Sequence, residues 1–211
     1  MFWEIIPSSP ITKLITKILD DMVRLSTVNG IIYLLDNPQS HETLKVILSR
    51  LGHLILDPVL SIRSAVVDLL LLIMGIHSFQ FHMVVHLDVL LSTLANDQPL
   101  VAQKITKLLL PSYFPTNVTS EEACNRCVTL IKRSPLAGAR FCEFCLSEGA
   151  SPQSLNLLFK ILINLVLSPA NISSDQIDGI LMAAANICNN LATKPKYKTA
   201  LKKVLTSKKL M

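Results

Sequence analysis

Asp57-Pro58-Val59-Leu60-Ser61-Ile62-Arg63 opens the stretch that decides the fold, and its wording returns further along as Asp97-Gln98-Pro99-Leu100-Val101-Ala102-Gln103-Lys104. The first copy runs into the apolar segment Ala65 to Ile73, the second into Ile105 to Leu110. Each copy supplies an aspartate, a proline, small apolar residues, a basic residue and then an amphipathic run. A carboxylate can accept the orphan N–H groups of a starting helix, and a proline in the first turn has no N–H to leave unpaired. Asp57, Pro58, Asp97 and Pro99 therefore mark tight turns between helices. A fainter copy, Asp20-Asp21-Met22-Val23-Arg24, lies a similar interval before Asp57 and reads as a shortened turn at Asp21 without the proline. Helix pairs repeating with the interval from Asp57 to Asp97 are the signature of a HEAT or armadillo solenoid.

The composition agrees with that class. Half of the 211 residues are hydrophobic, only 5% are aromatic, and six are glycine. A barrel or sandwich needs more turns and more β-branched or aromatic strand residues. The expected architecture is all-α: a right-handed α-solenoid of about five helix pairs over residues 1–193, then a lysine-rich tail, 194–211, either helical or disordered. The expected helices run from Ser9-Pro10 to Leu19, Met22 to Leu35, Ser40 to Leu56, and Asp57-Pro58 to Ile73. Further helices run from Met83 to Ala95 and from Asp97-Gln98-Pro99 to Leu110, with a break between Pro111 and Pro115. The remainder are Glu121 to Lys132, Ser134-Pro135 to near Gly149, Ser151-Pro152 to Leu167 and Ser173 to Thr193. Thr119 with Glu122, and Ser173 with Gln176, have capping-box spacing.

Leu69 to Ile76 is the longest apolar run, far short of the roughly 20 residues that span a bilayer. The start, Met1-Phe2-Trp3-Glu4-Ile5-Ile6-Pro7, has no basic region ahead of an apolar core, so it does not read as a secretory signal. The chain reads as intracellular, with no membrane and no small-molecule substrate as partner. Phe2, Trp3, Ile5 and Ile6 lack the polar outer face of a terminal repeat, which suggests a segment of a longer solenoid. The net charge of +5 comes from the end of the chain: seven lysines and no acid lie between Lys194 and Met211, while residues 1–193 hold 13 basic and 15 acidic side chains.

Few residues suggest chemistry. Cys124-x-x-Cys127 and Cys142-x-x-Cys145 could offer four thiolates to a zinc ion. Both pairs fall inside expected helices without a flanking glycine or proline, so buried structural cysteines are the stronger reading, and no cofactor is expected. His77, His82 and His86 cluster without the His-Glu-x-x-His pattern of a zinc hydrolase. There is no glycine-rich phosphate loop and no Gly-x-Ser-x-Gly elbow, so the chain does not read as an enzyme. Arg24, Arg63 and Lys104 recur at equivalent places, where a ladder to the aspartate of an adjacent turn is the plain expectation and phosphate contact the alternative. Lys132, Arg133, Arg140, Lys202 and Lys203 are further candidates for DNA or partner contact. Tyr197 is the one aromatic of the lysine run, so base readout is not suggested. Ser9, Ser134 and Ser168 precede prolines and are candidate proline-directed phosphorylation sites.

Several ungapped blocks carry a resemblance. Phe2-Trp3-Glu4-Ile5-Ile6-Pro7, Leu34-Leu35-Asp36-Asn37-Pro38-Gln39-Ser40-His41, Ser61-Ile62-Arg63 through Val67-Asp68-Leu69-Leu70-Leu71, and Glu121-Glu122-Ala123-Cys124-Asn125-Arg126-Cys127-Val128-Thr129-Leu130 together resemble the non-SMC G subunits of condensin II, a HEAT-repeat family. The resemblance covers roughly residues 1–168, departs at 20–24 and fades towards the C-terminus. It implies a fragment or truncated form of a longer protein, nuclear and chromosomal, acting as a scaffold in mitotic chromosome condensation. It further implies the kleisin and SMC subunits of condensin II as partners, and sequence-independent association with DNA and chromatin. The alternative is a generic HEAT or armadillo adaptor for a peptide or protein partner.

Overall fold

The computed structural model describes residues 10–77, 79–168 and 172–206. The apolar start and Ser9 lie outside the described residues. Among those described, every regular element is helical. The chain forms two compact units, Met1–His86 and Leu87–Met211.

In the first unit, α1 (Pro10–Leu34), α2 (His41–Leu51) and α3 (Leu60–Met74) are joined by short 3-10 turns. α1 corrects the expected turn at Asp20-Asp21: the helix passes straight through it. Two aspartates without a proline or glycine cannot stop a helix, because aspartate costs well under about 1 kcal/mol relative to alanine. Asp21 instead pairs with Arg24 one turn on. The turn at 36–38 is held by the Asn37 side chain, which accepts the Gln39 N–H at 3.1 Å, and by the Ser40 hydroxyl, which donates to the Leu34 carbonyl at 2.6 Å.

The helix expected to reach Leu56 tightens after Leu51 into a 3-10 segment, Gly52–Leu56. Gly52 lies against the Val84 backbone, where a Cβ would overlap the carbonyl. α3 supplies the core of this unit. Ile62, Val67, Leu69, Leu70 and Ile73 have no exposed surface, and burying each such side chain is worth about 1.5–3 kcal/mol. On α2, Leu44 and Leu48 are buried, while Ile47 is 38% exposed.

The second unit comprises α4 (Leu87–Asn96), α5 (Pro99–Tyr113), α6 (Ser120–Arg133), α7 (Pro135–Phe144), α8 (Pro152–Leu167), α9 (Ser174–Ala192) and α10 (Pro195–Thr206). α4 starts later than expected, after a 3-10 turn at Phe81–Met83 in the first unit. The expected break at Pro111 is also corrected, since α5 continues to Tyr113 with Pro111 inside it. Proline so near a C-terminus removes a single helical hydrogen bond. The Phe114 N–H closes the end on the Leu110 carbonyl at 2.8 Å, and its ring is buried.

α6 and α9 begin as the capping residues predict. Thr119 accepts the Glu122 N–H, and Ser173 and Gln176 form a reciprocal capping box. Ser134 and Ser151 precede helices at Pro135 and Pro152, but their hydroxyls make no capping bond. α7 ends at a tight turn in which Gly149 takes φ 105°, a left-handed conformation that only glycine adopts without strain.

α7 is the centre of this unit, with α6 against one flank and α9 against another. Glycine sets both distances. A Cβ at Gly138 would come within 2.6 Å of the Ile131 Cα, and one at Gly179 would come within 2.7 Å of the Pro135 Cα. Asn186 donates to the Ala139 carbonyl at 2.9 Å, and Asn190 to the Glu143 carbonyl at 2.8 Å, tying α9 to α7. No described helix is long and apolar enough to cross a membrane.

Candidate interaction surface

The repeat turn at Asp57 is a charge cluster built from three segments. The Asp57 side chain is only 5% exposed. It accepts the Val59 N–H at 2.9 Å and the Arg24 Nε–H at 2.7 Å. Arg24 bridges to Asp21, and Arg63 donates to the Asp57 and Pro58 carbonyls at 2.7 and 3.0 Å. Burial by itself would raise the Asp57 carboxyl. The Arg24 bond, the Val59 N–H and the neighbouring Arg63 charge outweigh it and hold the pKa below the ordinary carboxylate value. Arg24 thus reaches the aspartate of the following turn, and its charge is spent inside the fold.

At the second turn, Asp97 accepts the Gln98 N–H at 2.6 Å. Arg140, from α7, approaches the Asp97 carbonyl at 3.4 Å, pairs with Glu143 at 2.7 Å and lies 5.2 Å from the centre of the Phe144 ring. Arg133 pairs with Asp88 at 2.6 Å. Lys132 is exposed, and Lys104 on α5 is half-buried and engaged in an interaction within the fold. Within each unit the candidate cations are therefore mostly matched to carboxylates or carbonyls.

The four candidate zinc cysteines meet at the contact of α6 with α7. Cys124, Cys127, Cys142 and Cys145 are fully buried, and the Cys127 and Cys142 sulfurs lie 3.9 Å apart. Burial, then the Cys127 and Glu121 charges, push Cys124 up to about 12. The Cys127 bond followed by burial raises Cys142 well above its ordinary value, and burial raises Cys145. At Cys124, Cys142 and Cys145 the shift favours the protonated thiol. No group of three or more histidine, cysteine or carboxylate side chains is arranged to hold a metal among the described residues. His82 and His86 do not share a helical face, because His82 lies in the 3-10 turn and His86 precedes α4.

Two features of the surface were less legible in the sequence. In the first unit, Leu48, Phe79, Met83 and Val84 line an open groove of about 300 Å³ rimmed by Lys45 and His77. Met83 is 70% exposed there. α10 is the other: Leu201 is buried, while Lys194, Lys196, Lys198 and Lys202 are exposed. The Lys203 side chain lies outside the described residues. Neither feature can be read without knowing which side of each helix faces its neighbour.

Comparison with known proteins supplies what these surfaces do not. No family model matches the chain, and no solved structure matches it. Among curated proteins, condensin-2 complex subunit G2 of Xenopus laevis is 33% identical over 168 residues, covering 76% of this chain. The chain is related to part of the condensin-2 G2 subunits. The Danio rerio subunit is 32% identical over 167 residues, and the Homo sapiens subunit 27% identical over 168. The chain spans 14–15% of the length of these G2 subunits.

Proposed function

We propose that this chain is a non-enzymatic helical scaffold segment of condensin II, acting in mitotic chromosome condensation on nuclear chromosomes. In this reading it contacts the kleisin and SMC subunits and contributes to sequence-independent association with DNA. The observation that carries the proposal is the 33% identity over 168 residues to a named condensin-2 subunit. The structure supports it by its class, since stacked helices offer long side-chain surfaces for protein partners, and the described polar clusters are spent on holding turns together. Affinity purification of the tagged chain from mitotic nuclear extract, with mass spectrometry, tests it. Kleisin and SMC subunits are expected at near-stoichiometric recovery. A different, reproducible partner without them would overturn the proposal in favour of a generic helical adaptor.

A further inference from the structure

α10 is built against its own helix electrostatics. A helix N-terminus carries partial positive charge and favours acids. α10 has no acid in its first turn; Lys194 precedes it, and Lys196 and Lys198 lie in its first four residues. Nothing nearby offsets them among the described residues. Lys194, Lys196, Lys198 and Lys202 form no ion pair, whereas Arg24, Arg126, Arg133 and Arg140 are each paired with a carboxylate. Helix stability does not account for this arrangement.

Tyr197 is half-buried and Leu201 buried, one helical turn apart on the inner face. Lys194, Lys198 and Lys202 follow one another at the same one-turn interval along an exposed stripe that borders this face, whereas Lys196, two residues from each of the first two, is exposed on the other side of the helix. Thr199 and Thr206 are exposed as well. A protein partner would be expected to seat aromatic or aliphatic anchors, and this stripe offers none among the described side chains. It also offers no arginine fork or free aromatic ring for reading bases. Lysines act as point charges, which suits them to the regularly spaced phosphates of a duplex.

We propose that α10 is a duplex DNA-binding element that grips the phosphate backbone through Lys194, Lys198 and Lys202. The assignment rests on the DNA-association part of the reading above and moves that contact away from the repeat-turn arginines. Neutralising three phosphates gives a log–log salt slope of about −2.7, an affinity loss of about 40-fold between 50 and 200 mM salt.

The test is fluorescence anisotropy of the full chain with a labelled 30-base-pair duplex of arbitrary sequence. Three variants are compared with it: Lys194, Lys198 and Lys202 all to Gln, the same three to Arg, and the pair Lys132→Gln with Arg133→Gln. The Gln variant is expected to lose at least about 30-fold at 50 mM salt and most of the slope. The Arg variant is expected to bind as the wild type does, which separates charge from folding, and the Lys132/Arg133 variant is expected to change binding less than threefold. Equal binding by the Gln variant would overturn the assignment to α10 and leave DNA association standing. No binding by the wild type at 50 mM salt would overturn both. Competition by polyglutamate as effective as by unlabelled duplex would overturn the phosphate backbone as the ligand.

Discussion

Replacing Gly179 by alanine pits two effects of known size against each other. In the middle of α9, alanine gains about 1 kcal/mol over glycine from helix propensity. The added Cβ, however, would overlap the Pro135 ring and stand within 2.7 Å of the Pro135 Cα. Overpacking of this kind costs about 1–3 kcal/mol, and a backbone atom cannot rotate away as a side chain can. The upper half of that range applies, so the net loss is about 1–2 kcal/mol at the α7–α9 contact. Gly30→Ala is the control: it lies inside α1 with nothing within 4 Å of the new Cβ, so its expected effect is a gain of about 0.5–1 kcal/mol. Amide hydrogen exchange reads each locally. Exchange in α7 and α9 should quicken about 5- to 30-fold for Gly179→Ala and slow in α1 for Gly30→Ala. Unchanged or slower α9 exchange in Gly179→Ala would refute the idea that glycine at this position sets the helix spacing.

Other outcomes follow from the same geometry. Asp57 has a depressed folded pKa, so its contribution is full above the unfolded value near 3.9 and is lost as pH falls through the lower folded value. Urea titrations should therefore show wild type more stable than Asp57→Asn at pH 7, with the gap closing below about pH 4. Iodoacetamide at pH 8, followed by mass spectrometry, should label half-exposed Cys188 first and spare the four buried thiols until urea is added. Ser173→Ala should cost about 1 kcal/mol in urea denaturation through loss of the capping box of α9, and Ser151→Ala, whose hydroxyl makes no capping bond, clearly less.

Local signals in the sequence were good guides wherever one residue type decides the outcome. Thr119 and Ser173 start their helices with the bonds their spacing implies, and the prolines at 99, 135 and 152 each sit in a helical first turn. Misreadings arose where a local cue competed with tertiary contact. Asp20-Asp21 looks like a turn, yet Arg24 and Asp57 bind the region into a continuous helix. Pro111 looks like a stop, yet buried Phe114 carries the helix past it. Gly52 converts the end of a helix to 3-10 because of Val84, a residue remote from it in the chain. The basic candidates were visible as residues, but their partners were not. Spacing alone could not show that Arg133 would meet Asp88, or that Asn186 and Asn190 would be used up on α7 carbonyls.

The pair of glycine contacts also governs how the second unit can deform. Helices separated by long side chains can slide past one another by changing rotamers, and that sliding is the elastic compliance of a helical stack. α6, α7 and α9 have no such slack at Gly138 and Gly179, where side chains meet backbone, and two asparagines pin α9 to α7 besides. These three helices form a stiff block. Under load, the spacing at the centre of this unit would stay constant, and strain would collect away from those two glycines.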